Sequence, residues 1–236
     1  MVTHWKDPPN EGLFADGRAD WALYSPLLFP PRWREVMEYE AATFGDFLRR
    51  IAIDYMRYGY VRWALRHIPP DRDPSLVDGK LVEVYGVTSC RTSRMRQRRR
   101  GLAVVQYVRH CDTFVLLATE GAHEQFDRLR SYDARVTPLH LRSYSIGVQG
   151  DRVVVQVRHE VWQAVSERLQ FSALGKRATV EERIAALPFY RFPGVNRQIR
   201  ALVGAINRRR RVAGLPLVVT DTDSRWHHHT SAKVRP

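Results

Sequence analysis

The sequence predicts an α+β protein, because segments with an apolar residue at every second position alternate with segments of helical spacing. The chain has 236 residues, of which 44% are hydrophobic, so it is long enough to bury a sizeable core. Its charge is strongly unbalanced, with a formal net charge of +13. Together these observations indicate a globular protein whose partner carries negative charge.

The N-terminal region is expected to be an arm followed by a helix. Residues 1–31 contain seven prolines and glycines, which argues against a long regular element. Apolar residues then recur at helical spacing from Trp33 to Ile51, and Gly59 is the expected helix stop. We therefore assign residues 1–58 to an N-terminal arm and helix.

Residues 59–158 are predicted to form the core. The stretch "YVRWALRH" at 60–67 alternates as a strand does. Asp73 and Pro74 then open a helix that Gly86 ends. The next segment is rich in arginine and lies in the connection to a second strand.

The second half of this core begins with two strands that meet at Cys111 and Asp112. A short helix follows, and one strand is expected over 135–149 before the hairpin signal at Gly150 and Asp151. The order from 59 to 149 is β-α-β-β-α-β, which is the split βαβ of a ferredoxin-like fold. Such a fold has an antiparallel sheet with helices on one face, so the other face would be open to a ligand.

The remaining residues predict a basic helical portion over 159–220 and a tail over 221–236. One helix places Val195, Ile199, Leu202, Val203 and Ile206 on an apolar face. Gly214 is its expected stop.

Cysteine usage indicates neither a disulfide framework nor a metal site. Cys90 and Cys111 have no CxxC partner and no suitably spaced histidine, so we expect no metal and no cofactor. No apolar stretch reaches transmembrane length, and the first residues lack the apolar core of a signal peptide. We expect a cytoplasmic protein without a membrane partner.

Arginine dominates the basic residues, with 34 arginines among 38 lysines and arginines. Residues 84–111 hold seven arginines and no acid, and residues 183–220 hold eight arginines and no acid. A GC-rich genome would raise arginine content everywhere, and an amphipathic helix would have a charged outer face. Clustering without acids favours phosphate binding instead.

These clusters predict binding of nucleic acid, with single-stranded or structured RNA ahead of duplex DNA. Duplex DNA stays open, since the second cluster lies on a helix that could enter a major groove. The candidate phosphate-binding residues are Arg91, Arg94, Arg96, Arg98, Arg99, Arg100, Arg197, Arg200, Arg208, Arg209, Arg210 and Arg211.

Strand alternation adds four candidates on one sheet face. Tyr60 and Arg62 fall on the face opposite Trp63, which is expected in the core. Tyr107 and Arg109 share a face of the second strand. An open face of arginine and tyrosine would bind bases by stacking, whereas a covered face would simply bury these side chains.

Two other functions are compatible with the same sequence. A nuclease or strand transferase, of a mobile element or an RNA-processing system, would use histidine and tyrosine as acid, base or nucleophile. Its candidate catalytic residues are His110, His123, His140, Tyr107 and Tyr144. An assembly subunit of a larger ribonucleoprotein, with protein subunits as further partners, would also account for arginine-rich surfaces.

Overall fold

The fold is α+β with two antiparallel sheets, as seen in a computed structural model that describes residues 39–87 and 90–219. Within these residues the helices are α1 (Phe44–Arg49), α2 (Pro74–Val84), α3 (Arg91–Arg99), α4 (Glu124–Asp127), α5 (His159–Phe171), α6 (Arg177–Ala185) and α7 (Pro193–Val212). The strands are β1 (Arg62–His67), β2 (Val105–His110), β3 (Thr113–Ala118), β4 (Tyr132–Asp133), β5 (Leu139–Leu141), β6 (Tyr144–Gln149) and β7 (Arg152–Val157).

The first helical segment changes its winding along its length. After α1 the chain continues as a π-helix over Arg50–Tyr55 and a 3₁₀ turn over Met56–Tyr58. Gly59 follows with a φ of 84°, a left-handed conformation that costs little without a Cβ. The predicted stop at Gly59 is therefore confirmed, while the arm over 1–31 and the predicted helix start lie outside the described residues.

The first sheet has the strand order β2-β3-β1-β4, with every neighbouring pair antiparallel. The segment Tyr39–Ala41 lies beside the outer edge of β2. There the Arg109 amide donates to the Tyr39 carbonyl at 2.8 Å, and the Ala41 amide donates to the Arg109 carbonyl at 2.7 Å. This pairing covers backbone groups that an edge strand would otherwise expose.

The single strand expected over 135–149 is wrong. The chain reverses between β5 and β6 at Arg142, which has a φ of 49°. β5, β6 and β7 then form a separate three-stranded sheet, and the two-residue β4 pairs with β1 instead. The predicted hairpin at Gly150 is confirmed, with β6 and β7 paired around it.

Neither face of the first sheet is open, which corrects the expected arrangement. On one face, Tyr107 and Leu116 are buried with Leu81 of α2. On the other, Trp63 shares a core with side chains from α1, the second sheet and the C-terminal helices. Covering both faces stabilises the fold, because each fully buried apolar side chain contributes about 1.5–3 kcal/mol to the free energy of unfolding.

Helix α7 packs through the apolar face that the sequence predicted. Val195, Ile199, Leu202 and Ile206 are buried, and Val203 packs against the same core. Gly194 in the first turn lies directly on the backbone of Val155 in β7. A glycine is required here because a larger residue would keep the helix away from the strand.

We expect Gly194→Ala to destabilise the protein by about 1–3 kcal/mol, since its methyl group would collide with the Val155 carbonyl oxygen. Gly79→Ala in the middle of α2 is the matched control, because nothing beyond its chain neighbours and the backbone of its own helix lies within 4 Å of the added methyl group. That control should gain about 0.5–1 kcal/mol from helix propensity. Urea unfolding measures both, and equal free energies of unfolding for the two variants would contradict the assigned α7–β7 contact.

Candidate nucleic-acid interface

The arginine segment forms a helix, α3, rather than an irregular connection. Arginine, methionine and glutamine are good helix formers, and they fill most of this segment. The helix begins after Cys90 and is followed by Gly101 with a φ of 71°. Helical geometry therefore places the arginines on different faces of α3.

One face of α3 lines a groove. Arg91, Arg94, Met95 and Arg98 are spaced i, i+3, i+4 and i+7, so they project from the same side. Arg96, Arg99 and Arg100 are exposed but do not line this groove. The predicted six-arginine cluster is thus divided into two equal halves.

The opposite wall comes from the end of the first helical segment. The π-helix and the corner at Gly59 place Asp54, Tyr55, Tyr58 and Tyr60 along it. We call the space between these residues and α3 the α3 groove, and its volume is about 560 Å³. π-Helical turns are rare and frequently occur at functional sites.

Arg98 attaches α3 to this wall. Its Nη2 donates to the Tyr58 carbonyl at 2.9 Å, and its guanidinium carbon lies 5.1 Å from the centre of the Tyr60 ring. A cation over an aromatic ring at this distance is stabilising. Arg98 therefore positions the helix, and Arg91 and Arg94 extend along the same face.

The tyrosines of the groove differ in accessibility. Tyr58 is 41% exposed, whereas Tyr60 is only 4% exposed beneath Arg98. Among the described residues, the one ring here that is both large and accessible is that of Tyr58, with the thioether of Met95 (45% exposed) across from it. Of the groove tyrosines, Tyr60 was the predicted base contact, but Tyr58 on the other side of Gly59 is the more exposed ring.

Asp54 and Tyr55 bring titratable groups to the groove. Burial raises the pKa of Asp54, and Arg49 opposes that shift by donating to both carboxylate oxygens at 3.0 and 3.1 Å. Burial also raises the pKa of Tyr55, and the neighbouring Asp54 charge adds to it. The Tyr55 phenol is therefore neutral at physiological pH.

Tyr107 and Arg109 meet inside the protein rather than on a binding surface. The Tyr107 hydroxyl donates to Asp78 at 2.5 Å, and the Arg109 Nε donates to the same carboxylate oxygen at 3.0 Å. Glu40 accepts from Arg109 at 3.0 Å as well. With Tyr107 1% exposed and Arg109 5% exposed, neither side chain is placed to contact a nucleic acid in this conformation.

The Tyr107 hydroxyl and the Arg109 guanidinium both stay protonated in this network. Burial raises the pKa of Tyr107, and its hydrogen bond to Asp78 raises the pKa further. Burial acts to lower the pKa of Arg109, but the bonds to Asp78 and Glu40 outweigh burial and raise the pKa. Tyr107 is thus a poor base or nucleophile at neutral pH.

Two other candidates also have partners within the protein. Arg62 donates to Asp127 at 2.6 Å and to the Gly121 carbonyl at 3.0 Å. The Tyr144 hydroxyl accepts from the Tyr190 amide at 2.8 Å, and burial raises the pKa of Tyr144. Both side chains therefore contribute to the fold.

The three histidines lie in different parts of the fold. His110 is at the β2–β3 turn, where its Nδ1 lies 3.0 Å from the Ala41 carbonyl oxygen. His123 caps α4 beyond the opposite end of β2, accepting from the Phe126 amide at 3.2 Å. His140 lies on β5 of the second sheet, where partial burial of its ring and the neighbouring Arg158 charge lower its pKa. The length of β2 separates His110 from His123, so no triad forms among these residues.

The arginines of α7 are divided by exposure. Arg197, Arg200, Arg208 and Arg211 are exposed, and Arg209 donates to the Gln170 carbonyl at 2.6 Å. Arg210 is 1% exposed. It donates to the carbonyls of Pro216 and Ala173, each at 2.6 Å, and of Gly175 at 2.8 Å. Arg210 therefore ties the end of α7 to two loops instead of facing a ligand.

We expect Arg210→Ala to lower the free energy of unfolding by about 2 kcal/mol or more, because buried carbonyls lose their donor and a cavity forms. Arg211→Ala is the control, since it removes the same side chain from an exposed position of the same helix and should cost less than about 0.5 kcal/mol. Thermal and urea unfolding measure both. Equal stability of the two variants would show that Arg210 has no such role.

No group of three or more histidines, cysteines, aspartates or glutamates is arranged for a metal ion in residues 39–87 and 90–219. In the same residues, none of the helices is both long enough and apolar enough to cross a bilayer. No family model matches the chain, and neither the curated proteins nor the solved structures include a match to it.

Proposed function

We propose that this protein binds nucleic acid in the α3 groove, with single-stranded or structured RNA preferred over duplex DNA. The observation that carries this proposal is the shared groove of three α3 arginines and three tyrosines. Neither an arginine-rich surface nor a tyrosine cluster would by itself indicate nucleic-acid binding as strongly. Their juxtaposition offers phosphate and base contacts at one place.

The arginines on the α3 wall would contact phosphates, and the tyrosines on the opposite wall would contact bases. Arginine forks bind phosphate oxygens with bidentate, charge-assisted hydrogen bonds. Aromatic rings stack on bases, at about 1–3 kcal/mol per base, but only on bases that have left a duplex stack. The accessible Tyr58 ring therefore favours a single strand or a loop over a regular duplex.

Helix α7 offers additional phosphate contacts. Arg197, Arg200, Arg208 and Arg211 fall within one side of the helix and span about 21 Å along its axis. These four arginines are exposed, and the acidic residues of the chain are absent from 183–220. We assign to them the sequence-independent part of the affinity.

The supporting scaffold is proposed to be a ferredoxin-like core with additions. The antiparallel order β2-β3-β1-β4 and the helices α2 and α4 support this assignment. In this interpretation the second sheet and the C-terminal helices cover the face that related arrangements leave open. The nucleic acid would then bind beside the sheet, at the connection that contains α3.

The test is fluorescence anisotropy with three labelled ligands of the same 12-nucleotide sequence. They are a single-stranded RNA, a single-stranded DNA and the DNA duplex. We expect the single strands to bind more tightly than the duplex, with affinity falling as salt rises from 50 to 300 mM. Affinity that is independent of salt, or duplex binding that is at least as tight, would contradict the proposal. Incubation with each ligand followed by denaturing electrophoresis reports any strand cleavage.

A further inference from the structure

Among the described residues that line the α3 groove, Asp54 is the single acid. Its side chain retains 42% of its exposure, although Arg49 donates to both of its oxygens. A carboxylate has about four acceptor positions, so positions remain for a ligand. An acid would repel phosphate, and Asp54 therefore marks the part of the groove that a base would occupy.

The arrangement of the walls orders a bound nucleotide. Arg91, Arg94 and Arg98 lie on the α3 side, while Asp54, Tyr55 and Tyr58 lie on the other. A phosphate on the α3 side directs its base toward the tyrosines and the carboxylate. The edge of a base stacked near Tyr58 then meets an acceptor rather than a donor.

Building on the function proposed above, we propose that Asp54 selects bases that present an exocyclic amino group over bases that present a carbonyl at the same position. An ionised carboxylate can only accept hydrogen bonds, so it pairs with the amino group of cytosine or adenine. The carbonyl of uracil or hypoxanthine would place two acceptors against each other. Cytosine over uracil and adenine over hypoxanthine are therefore the diagnostic comparisons.

The test uses labelled nine-nucleotide RNAs that differ only in a central triplet within flanking uridines. We expect the wild-type protein to bind the CCC ligand about fivefold more tightly than the UUU ligand, as one discriminating hydrogen bond provides. The protein should likewise bind the AAA ligand more tightly than the ligand with three inosines, by a similar factor. Asp54→Asn should reduce both preferences to less than about twofold, because an amide both donates and accepts.

Asp71→Asn is the matched control, since it makes the same change at an exposed position that does not line the groove. It should keep the wild-type preferences. Asp46 continues to pair with Arg49 in the Asp54 variant, so the fold is expected to persist. Equal binding of CCC and UUU by the wild-type protein would overturn this inference and leave the proposed function standing. Failure to bind any of the ligands would overturn both.

Discussion

Neutralising two arginines on the groove face of α3 should weaken single-strand binding about tenfold at 0.15 M salt. In the variant Arg91→Gln/Arg94→Gln, glutamine preserves helix propensity while removing two of the proposed phosphate contacts. The slope of log affinity against log salt should fall by about 1.4, which is the contribution of two phosphates on a single strand. Anisotropy titrations at four salt concentrations measure both quantities.

The control for this variant comes from the same helix. Arg96→Gln/Arg99→Gln removes the same charge from exposed positions that do not line the groove. We expect its affinity to fall by less than about threefold, since only the general field changes. An equal loss in both variants would mean that net charge rather than the groove determines binding. Arg98 is left intact because it anchors α3 to Tyr58 and Tyr60.

Removing the carboxylate of the buried network should have the largest effect on stability. We expect Asp78→Ala to lower the free energy of unfolding by about 3–5 kcal/mol, because the Arg109 charge and the Tyr107 hydroxyl would both lose a buried partner. Glu40 remains, but its side chain is 52% exposed and compensates only partly. Urea unfolding followed by circular dichroism measures the change.

Asp71→Ala serves as the control for this prediction, since the Asp71 side chain is 72% exposed. It should change stability by less than about 0.5 kcal/mol. If Asp78→Ala cost less than about 1 kcal/mol, the network would not be important for the fold.

About half of the candidate site was predictable. The acid-free arginine segment is recognisable in the sequence, but its helical structure, and with it the division of its six arginines between two faces, was not predicted. Arg98 contacts a carbonyl forty positions away, and such a contact has no local signature. Likewise, Asp78 is in the middle of a helix that looks ordinary in sequence, and only folding brings it to Arg109.

Local patterns determined most of the elements themselves. The helix cap at Asp73, the stop at Gly59 and the hairpin at Gly150 follow from short-range backbone chemistry, and all three are observed. The apolar face of α7 followed from periodicity for the same reason. The overall charge and its two clusters were also evident from the sequence alone.

Tertiary structure decided which side chains remain accessible at the surface. Alternation along a strand distinguishes its two faces, but it does not reveal whether another layer covers them, as α2 covers Tyr107. Clustering of arginines does not distinguish Arg210, which bonds to three carbonyls inside the protein, from the exposed Arg211. The physical reason is that exposure and partner choice depend on contacts between residues distant in sequence, and those contacts exist only once the layers have packed.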